Sequence, residues 1–440
     1  MGQWLIKSAV MCTSALALAG CMSGTGGTGA SDDSVAMLSM ADTTGNAKPT
    51  HTEKLNAQSD IIQGLIARRS ILSVGSPYSR VATAVLAANS RSAESELRAA
   101  QLRARAASKN WLPSIGPSVS LTSLSSIVVN LVVEQVIYDN GRKKGEREFA
   151  VADVEVAAVA LAADTNTRVR TGLDLYVTAV EARDKYVLAS ASAKDIGHFE
   201  WVMQQRVQGG VSDSSDLHIL RQKLLEIRAS QSAAAEAATT AIAELNAMAI
   251  GDLSGVTGIT PLPVRAGLAQ PLTVTLAEAE KIRAIAAAKV DRASQLPGLS
   301  ASGTVGEDST FGLRLTSDSL LSLGTGDRLK AIEATAEAAG RHVAQATEDA
   351  NRKLRKFEGQ IAAKERQAAE AAVLTAQAKQ NLDVFQAQYD AGQRQVMDVV
   401  GVYETFARQQ ENEVTLKYEA IRLRIAMAEL LGVLADGSNI

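Results

Sequence analysis

The side chains of this 440-residue sequence best suited to catalysis or metal binding are four histidines and two cysteines. His51, His198, His218 and His342 are dispersed, and none stands at zinc-ligand spacing from another histidine or a cysteine. His218 follows Asp216 by two residues, a placement that a solvent-facing helix position explains. No Gly-x-Ser-x-Gly elbow presents a nucleophile, and no Gly-Lys-Ser/Thr loop cradles a phosphate. Gly24, Gly26 and Gly29 have the G-x-G-x-x-G spacing, yet no strand precedes them and no helix follows. The residues point away from an enzyme, and toward neither a cofactor nor a bound metal.

One thiol does stand in a reactive context. Met1–Lys7 carries a single positive charge, and Ser8–Ala19 is an apolar run too short for a stable membrane helix. Leu18-Ala19-Gly20-Cys21 closes it, so residues 1–20 read as a secretory signal peptide. The ending resembles a bacterial lipobox, which implies cleavage before Cys21 and acylation of its thiol. Cys12 would leave with the signal, so the mature chain would form no internal disulfide. Met22 follows Cys21 where an aspartate would resemble an inner-membrane retention signal, and the resemblance therefore favours the outer membrane. Residues 21–56 are rich in Gly, Ser, Thr and Ala and read as a flexible tether.

Composition narrows the rest. Aromatics make up only 4% while apolar residues reach 46%, which suits long, closely approaching helices better than aromatic-filled globular cores. A net charge of -3 gives no basic face for nucleic acid. Beyond the N-terminus no segment reaches 18 continuous apolar residues, so any further membrane crossing must use β-strands.

The chain also repeats itself. Leu112-Pro113-Ser114-Ile115 is echoed by Leu296-Pro297-Gly298-Leu299 at an offset of 184 residues. Gly210 and Asp216 are echoed by Gly392 and Asp398 at 182, and Asn140-Gly141 by Thr325-Gly326 at 185. Helix endings at Gly251 and Gly432 lie 181 apart. One nearly constant offset signals a duplication, which dictates the architecture. The repeats span 57–251 and 274–432, with a Pro-containing equatorial linker at 252–273 and a C-terminal tail at 433–440.

Each repeat carries the same parts in order. A helix (79–110; 274–295) ends at Leu-Pro, because proline disfavours helix in the residue before it. Strand pairs follow at 118–138 and 299–323, with lengths near what a tilted transmembrane strand needs. Proline-free helices over 141–208 and 327–390 come next, each roughly 100 Å long at the usual rise per residue. Tip turns at 207–212 and 389–395 lead into returning helices. The fold class is mainly α with a small β part: long antiparallel helical hairpins and four strands. Four strands cannot close a useful barrel alone, and lipid tolerates no open sheet edge, so several copies must pool strands and helices around an axis.

This duplicated order, with Tyr389-Asp-Ala-Gly392-Gln-Arg394-Gln-Val-Met-Asp398 and Val136-Ile-Tyr138-Asp-Asn-Gly141, resembles the TolC or outer membrane efflux protein family. The resemblance covers about residues 78–432 and implies a homotrimer with a 12-stranded barrel and an α-helical tunnel (α-barrel) in the periplasm. It implies a lipid-anchored export channel of the cell outer membrane, serving a tripartite efflux pump or type I secretion, with a periplasmic adaptor and an inner-membrane pump as partners. Gly210 and Gly392 match the tip-turn glycines that adaptor hairpins contact. Tyr389 and Arg394 match latch residues, with Asp216 and Ser215 as partners in the closed state. Asp398 matches one aspartate of a constriction whose second position is Gly401 here, so the acidic ring is halved. Each of these also has a plain structural reading: glycines end helices, and acids after a turn favour helix N-termini. A periplasmic coiled-coil scaffold that inserts no strands is the alternative, and the shortage of aromatic girdle residues favours it.

Overall fold

The computed structural model describes residues 59–88, 92–123, 126–305, 309–316 and 324–439; Cys21, the signal peptide and the tether lie outside them. Helix α1 (Asp60–Ile66) begins at Ser59, whose hydroxyl accepts the Ile62 N–H. Helix α2 (Pro77–Ala87) begins at Ser76 in the same way, with proline in its first turn where a missing N–H costs nothing. At Ala88 the backbone turns extended, with ψ 103°, and helix α3 runs over Ser92–Ala107. The single helix expected over 79–110 is therefore two.

The four strands form one antiparallel sheet in chain order: β1 (Ser114–Ser123), β2 (Ser126–Tyr138), β3 (Gly298–Val305) and β4 (Thr310–Thr316). β1 starts four residues before the expected 118, running through Pro117. An edge strand tolerates a proline that a central strand would not. Of the strand expected over 311–323, residues 317–323 lie outside the described ones. β2 and β3 come from different repeats and pair along Leu131–Val136.

Helix α4 (Arg142–Gln208) has 67 residues and α7 (Thr325–Asp390) has 66, roughly 100 Å each. Asp139 starts α4 by accepting the Gly141 and Lys143 N–H groups at 3.1 and 2.6 Å. Asn140 reaches from the same turn to the Pro297 carbonyl, tying the start of α4 to the second Leu-Pro corner. Beyond the tips, α5 (Ser214–Ala247) returns along α4, and α8 (Val396–Leu431) returns along α7. Helix α6 (Leu272–Ser294) covers the remaining part of α4 and also packs on α7.

Three apolar clusters succeed one another along α4. Ala150–Ala162 pack with α1, α3 and α6, Val169–Val180 with α2, the end of α5 and the end of α8, and Ile196–Met203 with the start of α5, α7 and the start of α8. The linker between α5 and α6 has no regular structure, so its carbonyls need partners. Arg183 supplies them to Ser254 and Val256, Tyr176 to Gly258 and Arg424 to Leu262. Leu253, Val256 and Leu262 bury their side chains in the middle cluster. Of the tail expected over 433–440, residues 433–437 pack inward. Val433 and Leu434 are buried, the Ile71 N–H donates to the Val433 carbonyl, and Asn166 Oδ1 accepts the Leu434 N–H.

Candidate functional site

The cross-strand register sorts the sheet into two unlike faces. Side chains alternate along each strand, so directly paired residues share a face. Ile115 pairs with Val133, Pro117 with Leu131 and Val119 with Val129. Leu131 pairs in turn with Val305, Val133 with Gly303 and Gln135 with Ala301. Leu299, Ala301 and Gly303 then pair with Leu315, Leu313 and Phe311. One continuous face is thus apolar, interrupted only by Gln135, whose amide donates to the carbonyls of Trp111 and Val136. It is not a core. Ile115 is 66% exposed, Leu313 65% and Phe311 82%.

The opposite face is mostly polar: it carries Ser114 beside Glu134 and Ser302, then Arg314 beside Ser300, and Thr304 beside Thr310, with Val132 and Val136 between them on β2. Among the described strand residues two are charged, Glu134 and Arg314, and both lie on this face. The irregular register after Val136 brings Tyr138 level with Leu299, on the apolar side. Tyr138 and Trp111 therefore stand exposed at the helical end of the sheet, and Phe311 at the other. Trp111 was missed in the sequence because it precedes the strand, just before the Leu-Pro corner. Phe311 also fills the space over its partner glycine, with Cδ2 3.8 Å from where a Gly303 Cβ would sit.

The two tips are built alike. Gly210 has φ +71° and Gly392 +73°, left-handed values that let the chain leave a helix. The Val211 N–H bonds the Arg206 carbonyl at 2.9 Å, and the Gln393 N–H bonds the Gln388 carbonyl at 2.8 Å. All four residues obey the 182-residue offset. Both turns close their helices by this pattern of crossed bonds. The following helices also start at matching positions. Asp213 accepts the Ser215 N–H, which holds its carboxyl below the usual range, and Gln395 and Asp398 form a reciprocal cap. Asp213 went unnoticed as a cap in the sequence.

Asp398 is therefore engaged in starting α8, accepting the Gln395 N–H at 3.3 Å. Within the described chain no hydrogen bond joins Tyr389 to Asp216 or Arg394 to Ser215. The Tyr389 ring meets Phe199 of α4 edge-on at 6.4 Å, which brings the second tip against the first hairpin. Arg394 donates to Gln388 and lies 4.4 Å over the Phe385 ring. Gly401 is exposed on α8 with open space where a Cβ would project.

Above the tips, α4 and α8 meet in an antiparallel polar seam. Tyr403 donates to Asp195 at 2.9 Å, Tyr418 to Asp184 at 2.6 Å, Arg422 to Glu181 at 2.6 Å and Arg170 to Glu429 at 2.5 Å. Burial pushes the Tyr403 phenol up to about 12 and the Tyr418 phenol higher, where the Asp184 carboxylate adds to the effect. Asp174, beside Arg170, is also raised, because burial outweighs the neighbouring guanidinium.

Among the described residues no group of three or more His, Cys, Asp or Glu could hold a metal ion. Among them, too, no helix is long and apolar enough to cross a membrane, a statement that leaves β-barrels untouched. No protein-family model matches the chain, and no curated protein matches it. Solved structures do. A membrane protein from Pseudomonas aeruginosa superposes with TM-score 0.72 at 16% identity, covering 83% of this chain and 92% of that one. The CmeC outer membrane channel of Campylobacter jejuni gives 0.68 at 13%, over 82% and 87%. The MtrE outer membrane channel of Neisseria gonorrhoeae, in an open state, gives 0.69 at 14%, over 82% and 90%. The chain has the fold of these channels: long helical hairpins carrying a small four-stranded antiparallel sheet.

Proposed function

We propose that the protein is a passive outer-membrane efflux duct of the TolC type, which closes into a tube from several copies and performs no catalysis. The observation that carries this reading is the two-faced sheet. An apolar face uncovered in the chain, backed by a polar face and bounded by two open edges, is unfavourable in water. In a membrane barrel, lipid covers the first face, neighbouring copies satisfy the edges and water fills the polar side. Trp111 and Tyr138 at one end and Phe311 at the other would sit at the two interfaces, where amphipathic rings are favoured. A periplasmic scaffold gives no reason for such a face.

The finer features are part of the same proposal. Three copies would supply 12 strands, Cys21 would carry the lipid anchor, and the Gly210 and Gly392 turns would meet a periplasmic adaptor linked to an inner-membrane pump. Such an assembly serves efflux or type I secretion. Tyr389 and Arg394 would latch to Asp216 and Ser215 of a neighbouring hairpin, with Asp398 at the constriction. The experiment is reconstitution of the detergent-purified, acylated protein into planar bilayers, with its mass measured in parallel. The duct predicts a cross-linkable trimer and discrete conductance steps; a soluble monomer after lipid removal contradicts it.

A further inference from the structure

We propose that Glu134 and Arg314 form two separate and opposing charged rings in the barrel lumen, each biasing the ion preference its own way, in a wall that otherwise presents hydroxyls, glycines, Asn130 and the valines Val132 and Val136. The proposal rests on the duct reading above. These two are the charged residues among the described strand residues, and the register places both on the face opposite the apolar one. Both are exposed. Glu134 is level with Ser302, whereas Arg314 is level with Ser300 and lies two strands away from β2.

Two residues along a strand and two strands across a sheet separate their backbones by roughly 12 Å. No ion pair joins them, and the gap exceeds a Debye length of about 8 Å at physiological salt. Neither charge therefore cancels the other locally. Among the described strand residues, every copy adds one anionic and one cationic position at different depths.

The neighbouring residues agree with this. On the helical side, Glu134, Arg142 and Lys143 line one recess of about 210 Å³. Arg142 and Lys143 share the one carboxylate of Glu146, at 3.2 and 3.8 Å, so the pair is tied to α4 and not to Glu134. Around the patches of Val132 and Val136, the face offers Ser114, Ser118, Ser300, Ser302, Thr304 and Thr310, rotatable hydroxyls that hydrate a solute without holding it. With the two rings opposed, removal of either charge leaves the other to bias which ions pass.

The test is the reversal potential of the reconstituted full-length protein under a KCl gradient. Glu134→Gln should move it toward anion preference and Arg314→Gln toward cation preference, with the double variant returning near the parent. Ser302→Lys, beside Glu134, should also move it toward anions and serves if Glu134→Gln does not insert. Conductance with no shift in any variant, or the same direction of shift for Arg314→Gln as for Glu134→Gln or Ser302→Lys, overturns the proposal and leaves the duct standing. A parent protein that inserts and does not conduct overturns the duct itself.

Discussion

Tyr418 Oη lies 2.6 Å from Asp184 Oδ2, a hydrogen bond that joins the returning helix of the second repeat to the long helix of the first. The Tyr418 ring is almost fully buried, while Asp184 is half-buried and reached by water. Tyr418→Phe should keep the ring packing and lose the bond. The expected loss is about 1.5 kcal/mol, at the low end for a hydrogen bond to a charged group. Denaturant unfolding in detergent reads it; an unchanged midpoint would show that the seam contributes nothing.

Buried tyrosines of the seam and of the linker contact predict an alkaline transition. The phenols of Tyr176 and Tyr403 are raised from 10 to about 12, chiefly by burial. In this window the unfolded chain has already lost the proton that the folded chain keeps. Stability is therefore complete below pH 10 and falls as pH rises toward about 12. Helicity by circular dichroism should drop across that interval together with late tyrosine ionisation at 295 nm. Tyr403→Phe should remove part of the late absorbance change; an unaltered titration curve contradicts the assignment.

Glycine substitutions should separate the tips from the middle of the molecule. At Gly392, with φ +73° and open space around a new Cβ, alanine adds only backbone strain, about 1 kcal/mol. At Gly432, with φ +64°, the new Cβ would lie 2.6 Å from Leu272 Cγ and 2.7 Å from Arg68 Nη1. Arg68 is itself committed to the Leu431 carbonyl at 2.6 Å. Strain and overpacking together should cost about 3 kcal/mol there. Thermal scans of the two variants compare them, and equal shifts would mean the Gly432 junction yields easily.

The two readings of Asp398 can also be separated. Asp398→Ala removes the acceptor of the Gln395 N–H and should speed amide exchange in the first turn of α8. Asp398→Asn keeps an acceptor and should restore protection while removing the charge. If the asparagine variant keeps the cap and still changes ion preference, the carboxylate acts at a constriction as well as in the helix start.

Much of the architecture was legible in the sequence for definite reasons. Both long helices lack proline, and the duplication exposed the tips, whose crossed hydrogen bonds repeat at the same 182-residue offset. What escaped depended on partners distant in the chain. Residues 433–435 read as a tail because Ile71 and Asn166, which bond them, lie more than 250 residues earlier. The break at Ala88 was hidden by alanine-rich flanks that favour helix on both sides, although Ser76-Pro77 was a legible start signal. The two faces of the sheet were obscured in Ile127-Val-Val-Asn-Leu-Val-Val, which alternates poorly alone. Only pairing with β1 and β3 assigns Leu131 and Val133 to one side and Asn130 and Glu134 to the other.

The central claim is that the apolar face meets lipid and the polar face meets water, and cysteine accessibility in intact outer membranes tests it most directly. A Cys21-acylated chain offers no competing thiol. Single cysteines at Leu131, Leu313 and Ile115 should resist a charged, water-soluble thiol reagent, whereas those at Glu134, Ser302 and Arg314 should react. Equal labelling of both sets would place the sheet in water and contradict the duct.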